Sequence, residues 1–361
     1  MSDVNRDGHR DVVALSSDGT AAVPLGNGDG TLLAEERIVF SGGGSSVVAA
    51  DFNGDGLSDV AVNLPSPLIE LSSGHGGFRA DATSASLAIR LSAATADLDG
   101  DGHNDLVMTD GAHPFVSVQM GRGDASCRAA VTFPTPYPRD QVLVGDLDDD
   151  GVPDLLVASS VGWFWMRGVG DGGFLPEAST GLPAVAGALG DTNRDETLDF
   201  VDDMGAVYLG NGDGTFGQAL STDTYRLATP ALVDINGDGN PDLLGLGSDG
   251  VLVLMGRGDG TFSTPVAYAT NYAGRSIDPT SLVVADFNGD GKVDVIVSNR
   301  LVSVGLLLGN GDGTFGRVTN YPSLCESYPP VASGDFNGDG RPDIAVPEST
   351  GIGVLLNRGC Y

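Results

Sequence analysis

An acidic nine-residue pattern, Asp-x-Asn/Asp-x-Asp-Gly-x-x-Asp, recurs eight times along the 361-residue chain. The copies read DVNRDGHRD from Asp3, DFNGDGLSD from Asp51, DLDGDGHND from Asp97 and DLDDDGVPD from Asp146. They continue as DTNRDETLD from Asp191, DINGDGNPD from Asp234, DFNGDGKVD from Asp286 and DFNGDGRPD from Asp335. They return about every 47 residues, a period that marks a solenoid, propeller or array and overrides the two- or three-domain split that length alone would allow. Units of this size cannot each bury a core and must share one. One repeat domain over residues 1–361 is therefore expected.

A single repeat shows what the unit is. Near Ser281 an apolar, β-branched run leads into Asp286, and VDVIVS follows the acidic loop. After a turn at Asn299 come VSVGLLL, the Gly-rich GNGDGTF and a more polar fourth segment, RVTNYPS. Four short strands separated by turn chemistry, with no helical periodicity beyond a turn or two, predict an all-β propeller of four-stranded antiparallel blades. Strand hydrophobicity is nearly continuous, as in sheets packed on both faces. The residue before the first Asp is small in most copies (Ala50, Ala96, Gly145, Gly190, Ala285, Gly334, with Val233 the largest), which suits inner strands converging where volume is scarce. A β-solenoid fits less well, because its coils are usually shorter and lack a four-strand unit. The pattern gives about 30 strands, hence eight nearly complete blades, with seven as the alternative if the terminal repeats are partial or merge. The first copy has no apolar strand ahead of it, as expected of a trimmed or processed chain or of an incomplete gene model.

The formal charge is −31, and the motifs hold about half of the 49 acidic residues. No basic stripe exists to neutralise phosphates, which argues against a nucleic-acid partner. No apolar run approaches the ~20 residues of a membrane span. The 55 glycines and 19 prolines sit at fixed places in each repeat and read as turns, not linkers. Cys127, Cys325 and Cys360 are too few for a disulfide scaffold, although a Cys325–Cys360 bridge would staple the C-terminus in an oxidising compartment.

The carboxylates point to a hard cation. Ca²⁺ takes roughly six to eight oxygens from carboxylates and carbonyls. Positions 1, 3, 5 and 9 would supply them: Asp3, Asn5, Asp7 and Asp11; Asp51, Asn53, Asp55 and Asp59; Asp97, Asp99, Asp101 and Asp105; Asp146, Asp148, Asp150 and Asp154. The later copies offer Asp191, Asn193, Asp195 and Asp199; Asp234, Asn236, Asp238 and Asp242; Asp286, Asn288, Asp290 and Asp294; Asp335, Asn337, Asp339 and Asp343. Glycine at position 6 permits the positive φ that the reversal demands. Position 7 has no common chemistry, so a backbone carbonyl is expected there, and His9 and His103 are not expected to ligate through imidazole. Two carboxylates about 4 Å apart repel by ~4 kcal/mol at moderate dielectric, so a counter-ion is expected to hold these loops closed.

With its flanking strands and the GNGDGTF turn, the loop resembles the FG-GAP or VCBS repeat, the unit of integrin α-subunit propellers and of many bacterial secreted proteins. The resemblance covers essentially the whole chain. It implies a calcium-bound propeller, one Ca²⁺ per repeat, in the loop joining the first and second strands of each blade. Glu196 replaces the position-6 glycine in DTNRDETLD, so the site at Asp191–Asp199 is expected to be weakest or empty. A fully ligated loop has no open coordination position, which makes the metal a structural clip and not a catalyst.

Other features are weaker. Arg122-Gly123-Asp124 and Arg257-Gly258-Asp259 spell a tripeptide that adhesion receptors read, but both are variants of the GNGDG turn. Trp163 and Trp165 share a strand face and offer a stacking platform for a sugar, although equivalent positions elsewhere are aliphatic (Val251, Val253) and read as core. His75 and His113 do not recur, and no Ser–His–Asp or Cys–His set can be assembled. The expectation is a non-catalytic, secreted or cell-surface propeller that binds a glycan or an extracellular protein. The alternatives are a polysaccharide lyase-like enzyme, poorly served by the single Lys292, and a structural segment of a larger surface protein.

Overall fold

The computed structural model describes residues 92–109, 111, 113–122, 128–220, 225–248, 250–270, 279–286, 290–299 and 303–322, with strand backbone alone in the first, second and eighth sheets. Every regular element among them is a β-strand. The strands form eight antiparallel sheets, each following chain order from one edge to the other. The first holds Ala14–Leu15, Thr20–Val23 and Glu36–Val39; the second Val47–Ala50, Asp59–Val62, Leu68–Ser72 and Phe78–Ala80. The third holds Ser92–Ala96, Asp105–Thr109, Phe115–Gln119 and Val131–Pro134; the fourth Gln141–Gly145, Asp154–Ser159, Gly162–Met166 and Ala178–Ser179. The fifth holds Gly187–Gly190, Asp199–Asp202 and Val207–Tyr208; the sixth Ala228–Val233, Asp242–Leu246, Gly250–Leu254 and Val266–Ala269. The seventh holds Pro279–Ala285, Asp294–Asn299, Ser303–Leu307 and Thr319–Pro322; the eighth Ala332–Gly334, Asp343–Glu348 and Gly351–Leu355. Five of these sheets carry the expected four strands.

The acidic motif is the hairpin loop between the first and second strands. The residue before position 1 pairs with the Asp at position 9, as in Ala96 with Asp105, Gly145 with Asp154, Gly190 with Asp199 and Val233 with Asp242. Second strands are buried along their length, while fourth strands such as Val131–Pro134 and Val266–Ala269 are mostly exposed. That gradient accounts for the continuous apolar runs: inner strands pack on both faces.

The chain divides into two compact units, one of residues 1–25, 34–185 and 210–216, the other of residues 26–33, 186–209 and 217–361. In the first, Leu98, Val107, Val118, Val142, Leu155 and Val157 join the third and fourth sheets in one buried cluster. In the second, Leu244, Val253, Val295 and Leu307 do the same for the sixth and seventh sheets.

The Gly-rich turn after the third strand is closed by a bridge from its first glycine to its phenylalanine: Gly168–Phe174, Gly210–Phe216, Gly256–Phe262 and Gly309–Phe315. That glycine is there for contact. A Cβ on Gly256 would lie 2.1 Å from the Pro241 carbonyl oxygen, and one on Gly309 would lie 2.1 Å from that of Val293. The close approach lets the glycine N–H reach the position-9 carboxylate, at 2.7 Å for Gly256 on Asp242 and 2.7 Å for Gly309 on Asp294. A later glycine of the turn reaches the preceding repeat. The Gly214 N–H donates to the Leu147 carbonyl at 2.8 Å and the Gly260 N–H to the Thr192 carbonyl at 3.1 Å, each landing on position 2 of an acidic loop.

The Asp242 carboxylate accepts from both Gly256 and Ile235 and is fully buried, so Asp242→Ala strands two amides, one buried and one partly buried. The expected loss is about 3–5 kcal/mol, two charge-assisted hydrogen bonds, read by urea denaturation in chelator so that metal plays no part.

Candidate functional site

Each acidic loop is shaped by its own carboxylates. At position 1, Asp97 accepts from the amides of Gly100 (2.8 Å), Asp101 (3.1 Å) and Gly102 (2.9 Å), and Asp234 does the same with Gly237, Asp238 and Gly239. At position 5, Oδ1 accepts the position-7 amide: His103 on Asp101, Val152 on Asp150, Thr197 on Asp195, Asn240 on Asp238 and Lys292 on Asp290. At position 9, one oxygen takes the position-2 amide and the other the turn glycine: Leu98 and Gly121 on Asp105, Leu147 and Gly168 on Asp154. Backbone donors thus take part in closing these loops and in offsetting carboxylate repulsion.

Burial makes the position-9 acids costly as anions. It pushes Asp105 up to about 6 against the pull of the Leu98 and Gly121 amides, and it raises Asp154 and Asp242. At position 3, Asp148 is also raised, first by burial and then by the neighbouring Asp150.

The arrangement suits a divalent cation. Asp97, Asp99 and Asp105 each offer a carboxylate oxygen within 4.8 Å of the others, as do Asp146, Asp148 and Asp154. Asp148 Oδ1 is buried without a hydrogen-bond partner. A buried, unpartnered anionic oxygen beside two further carboxylates is a donor set for a hard cation. Asp101 and Asp150 stand outside these trios. Asp191, Asn193, Asp195 and Asp199, Asp234, Asn236, Asp238 and Asp242, and Asp286, Asp290 and Asp294 lie in loops of the same kind. Asp3 to Asp11, Asp51 to Asp55, Asn288 and Asp335 to Asp339 fall outside the described residues, and Asp59 and Asp343 are placed as strand backbone only. The three cysteines, His9, His75 and Gly123-Asp124 fall outside them too.

Positive φ is required at two loop positions, and the sequence reading found one. Position 6 has φ 85° at Gly102 and 82° at Gly239, and Glu196 is held at 70°. Position 4 is left-handed as well: 72° at Gly100 and Gly237, 56° at Asp149 and 66° at Arg194. The frequent glycine at position 4 was the signal. The loop at Asp191 thus carries two strained side chains, and Arg194 spans to the next loop, donating to the carbonyls of Asp238 (2.6 Å) and Gly239 (3.3 Å).

The sequence reads the two tryptophans as core ahead of a sugar platform, and the structure buries one fully and the other in part. Trp163 is fully buried and its Nε1 donates to the Val185 carbonyl at 2.8 Å. Trp165 is half-buried beneath Gly214, where a Cβ would meet its ring at 2.3 Å. Arg257 and Asp259 are engaged inside their turn: Arg257 donates to the Phe262 carbonyl (2.7 Å), and Asp259 accepts from the Thr261 amide (3.0 Å) and hydroxyl (2.6 Å). His113 stacks on Phe115 with centroids 5.6 Å apart.

A cavity of about 720 Å³ lies in the second unit, lined by Tyr225, Arg226, Ser248, Leu252, Tyr268 and Pro279 among others. It borders the turn between Leu246 and Gly250, at the opposite end of the sixth sheet from the acidic loop. Among the described residues that line it there is no carboxylate. Non-repeating residues build it, which is why no periodic signal announced it.

An FG-GAP-like repeat model matches residues 3–62, 97–157, 146–201, 234–297 and 286–346. Among curated proteins, none matches the chain. Several solved structures share the fold. A lectin of Agrocybe aegerita, whose structure concerns recognition of non-reducing terminal N-acetylglucosamine, is 21% identical with a TM-score of 0.65, covering 87% of this chain and 90% of its own. A functionally unknown protein from Desulfotomaculum acetoxidans DSM 771 is 12% identical, with a TM-score of 0.58 and coverage of 95% and 98%. BBS1N, solved in complex with ARL6DN, is 13% identical, with a TM-score of 0.55 and coverage of 88% and 93%. No helix among the described residues is long and apolar enough to cross a membrane.

The strain at Glu196 has a direct test. Glu196→Gly relieves a left-handed side chain at φ 70° and is expected to raise the unfolding free energy by about 1 kcal/mol, measured by chemical denaturation.

Proposed function

The chain belongs to the FG-GAP-like repeat family, and on that premise we propose that it is a non-catalytic, calcium-stabilised propeller of eight blades that binds a glycan outside the cell. The observation that carries the glycan reading is the cavity of the sixth sheet, whose described lining is apolar and aromatic with a few polar groups. Tyr225 and Tyr268 offer aromatic surface for the apolar face of a sugar, and Arg226 and Ser248 supply polar groups at its margin. A concave surface whose described lining pairs aromatic rings with hydrogen-bond donors suits a hydroxyl-rich ligand. The lectin of Agrocybe aegerita, built on the same fold, supports a sugar over a protein as the ligand.

The acidic loops do separate work. In the third and fourth sheets Asp97, Asp99 and Asp105, and Asp146, Asp148 and Asp154, would hold Ca²⁺, and the ion would supply positive charge to carboxylates that burial makes costly. Backbone amides help to hold the loop, as those of Asp150 and Gly151 do on Asp146. At ~1 mM Ca²⁺ and a Kd of ~0.1 mM, each filled site contributes ~1.4 kcal/mol to stability. Sites of that strength would fill outside cells and stay largely empty in cytosol, so a secreted or surface location goes with the calcium reading. A protein partner is the second reading, favoured by the likeness to BBS1N, which is solved bound to another protein.

Two measurements test this. Thorough chelation is expected to lower the melting temperature and added Ca²⁺ to restore it; an unchanged melting temperature removes the calcium reading. A glycan array is expected to show calcium-dependent binding that drops at least tenfold in Arg226→Ala with stability unaltered, Arg226 being exposed. An array blank in calcium would leave the protein-binding reading standing, and turnover of an acidic polysaccharide would make the protein an enzyme.

A further inference from the structure

The position-5 carboxylate keeps its outer oxygen, Oδ2, next to a nitrogen in each loop where that contact is described. In the loops with Asn at position 3 the partner is internal: Asn193 Nδ2 donates to Asp195 at 2.8 Å and Asn236 Nδ2 to Asp238 at 2.9 Å. Lys292 Nζ lies 3.1 Å from Asp290 Oδ2. An aspartate at position 3 cannot play this part, because an ionised carboxylate only accepts. In the two described loops with Asp at position 3, an arginine from the neighbourhood of the Gly-rich turn stands in. Arg167 Nη2 donates to Asp150 Oδ2 at 2.8 Å, and Arg128 Nη2 lies 3.9 Å from Asp101 Oδ2.

The same arginines also hold position 3. Arg167 Nε forms an ion pair with Asp148 Oδ2, and Arg128 Nη1 donates to Asp99 Oδ2 at 3.0 Å. Each takes the outer oxygen of the position-3 side chain. The Asp148 side chain is 9% exposed, and its inner oxygen, Oδ1, is left buried, without a partner and grouped with Asp146 and Asp154. Charge balances accordingly, since four carboxylates with one guanidinium carry the same net charge as three carboxylates with one amide.

We propose that Arg128 and Arg167 are positioning residues for cation binding, replacing the missing asparagine amide and cancelling the fourth carboxylate of the all-aspartate loops. The inference rests on the calcium reading of those loops. The guanidinium remains in place when the cation binds; it orients the position-3 carboxylate and does not compete for the site.

Terbium luminescence excited through tryptophan isolates one loop. Trp163 and Trp165 are the only tryptophans in the chain, and Trp165 pairs with Leu156, two residues from Asp154. The wild-type protein is expected to show sensitised emission that calcium competes away. Arg167→Met should raise the half-saturating terbium concentration about tenfold, the usual effect of losing a group that orients a ligand. The melting temperature in chelator should fall as well. Asp148→Asn combined with Arg167→Met should restore both, because the amide donor returns to the loop. Equal or tighter terbium binding in Arg167→Met would overturn the proposal and leave the calcium reading intact. Absence of emission in the wild type would remove the cation reading and this proposal with it. Should Arg167→Met fail to fold, the double variant decides: a folded, terbium-binding protein supports the exchange, and an unfolded one overturns it.

Discussion

Each described repeat is pinned by a buried carboxylate at position 9 of the acidic loop. Asp105, Asp154 and Asp242 are wholly buried, and each takes one amide from the start of its loop and one from the glycine that opens the turn after the third strand. The bond joins segments some fifteen residues apart, and it explains why both motifs recur together. Without the glycine the backbone cannot approach, and without the aspartate the approaching amide has no acceptor. Ionising an acid in such a place is unfavourable, and burial raises its titration accordingly. A strongly acidic loop on top of that pin creates a demand for positive charge, which the repeats meet with amides, guanidinium groups and, in the proposed reading, a divalent ion.

Much of this was legible in the sequence. The repeat period, the four-strand unit and the position of the loop between first and second strands follow from spacing and β-branched runs, because strand pattern and turn chemistry are local properties. The left-handed demand at position 6 was visible because Glu196 breaks an otherwise constant glycine. The same demand at position 4 was hidden by Asp149, Arg194 and Arg6, which made the glycine there look optional. The roles of Arg128 and Arg167 were out of reach, since each acts on a loop about 20 to 30 residues upstream and only the folded sheet brings them together. Position 9 was read as a ligand alone, whereas its oxygens also serve two backbone amides.

The tryptophans and the Arg-Gly-Asp at residues 257–259 teach the opposite lesson. Both carry strong associations with binding, yet Trp163 is sealed in the fourth sheet and the charges of Arg257 and Asp259 are spent on their own turn. In the proposed reading the ligand surface is made of residues that do not repeat, Tyr225, Arg226 and Tyr268, at the end of the sixth sheet away from the acidic loop. Scaffold chemistry repeats because every blade needs it; recognition chemistry has no reason to repeat.

The residue at position 2 of the loop has a mechanical meaning. At Leu147 the amide looks back to its own Asp154, and the carbonyl receives the Gly214 amide of the following repeat; Thr192 stands in the same way between Asp199 and Gly260. Two peptide planes that meet at one α-carbon thus serve as the hinge pin of two leaves. Fraying cannot stop cleanly at a repeat boundary, because loosening one leaf tilts the peptide that the next one hangs on, so adjacent repeats melt as neighbours in a row and not as independent beads.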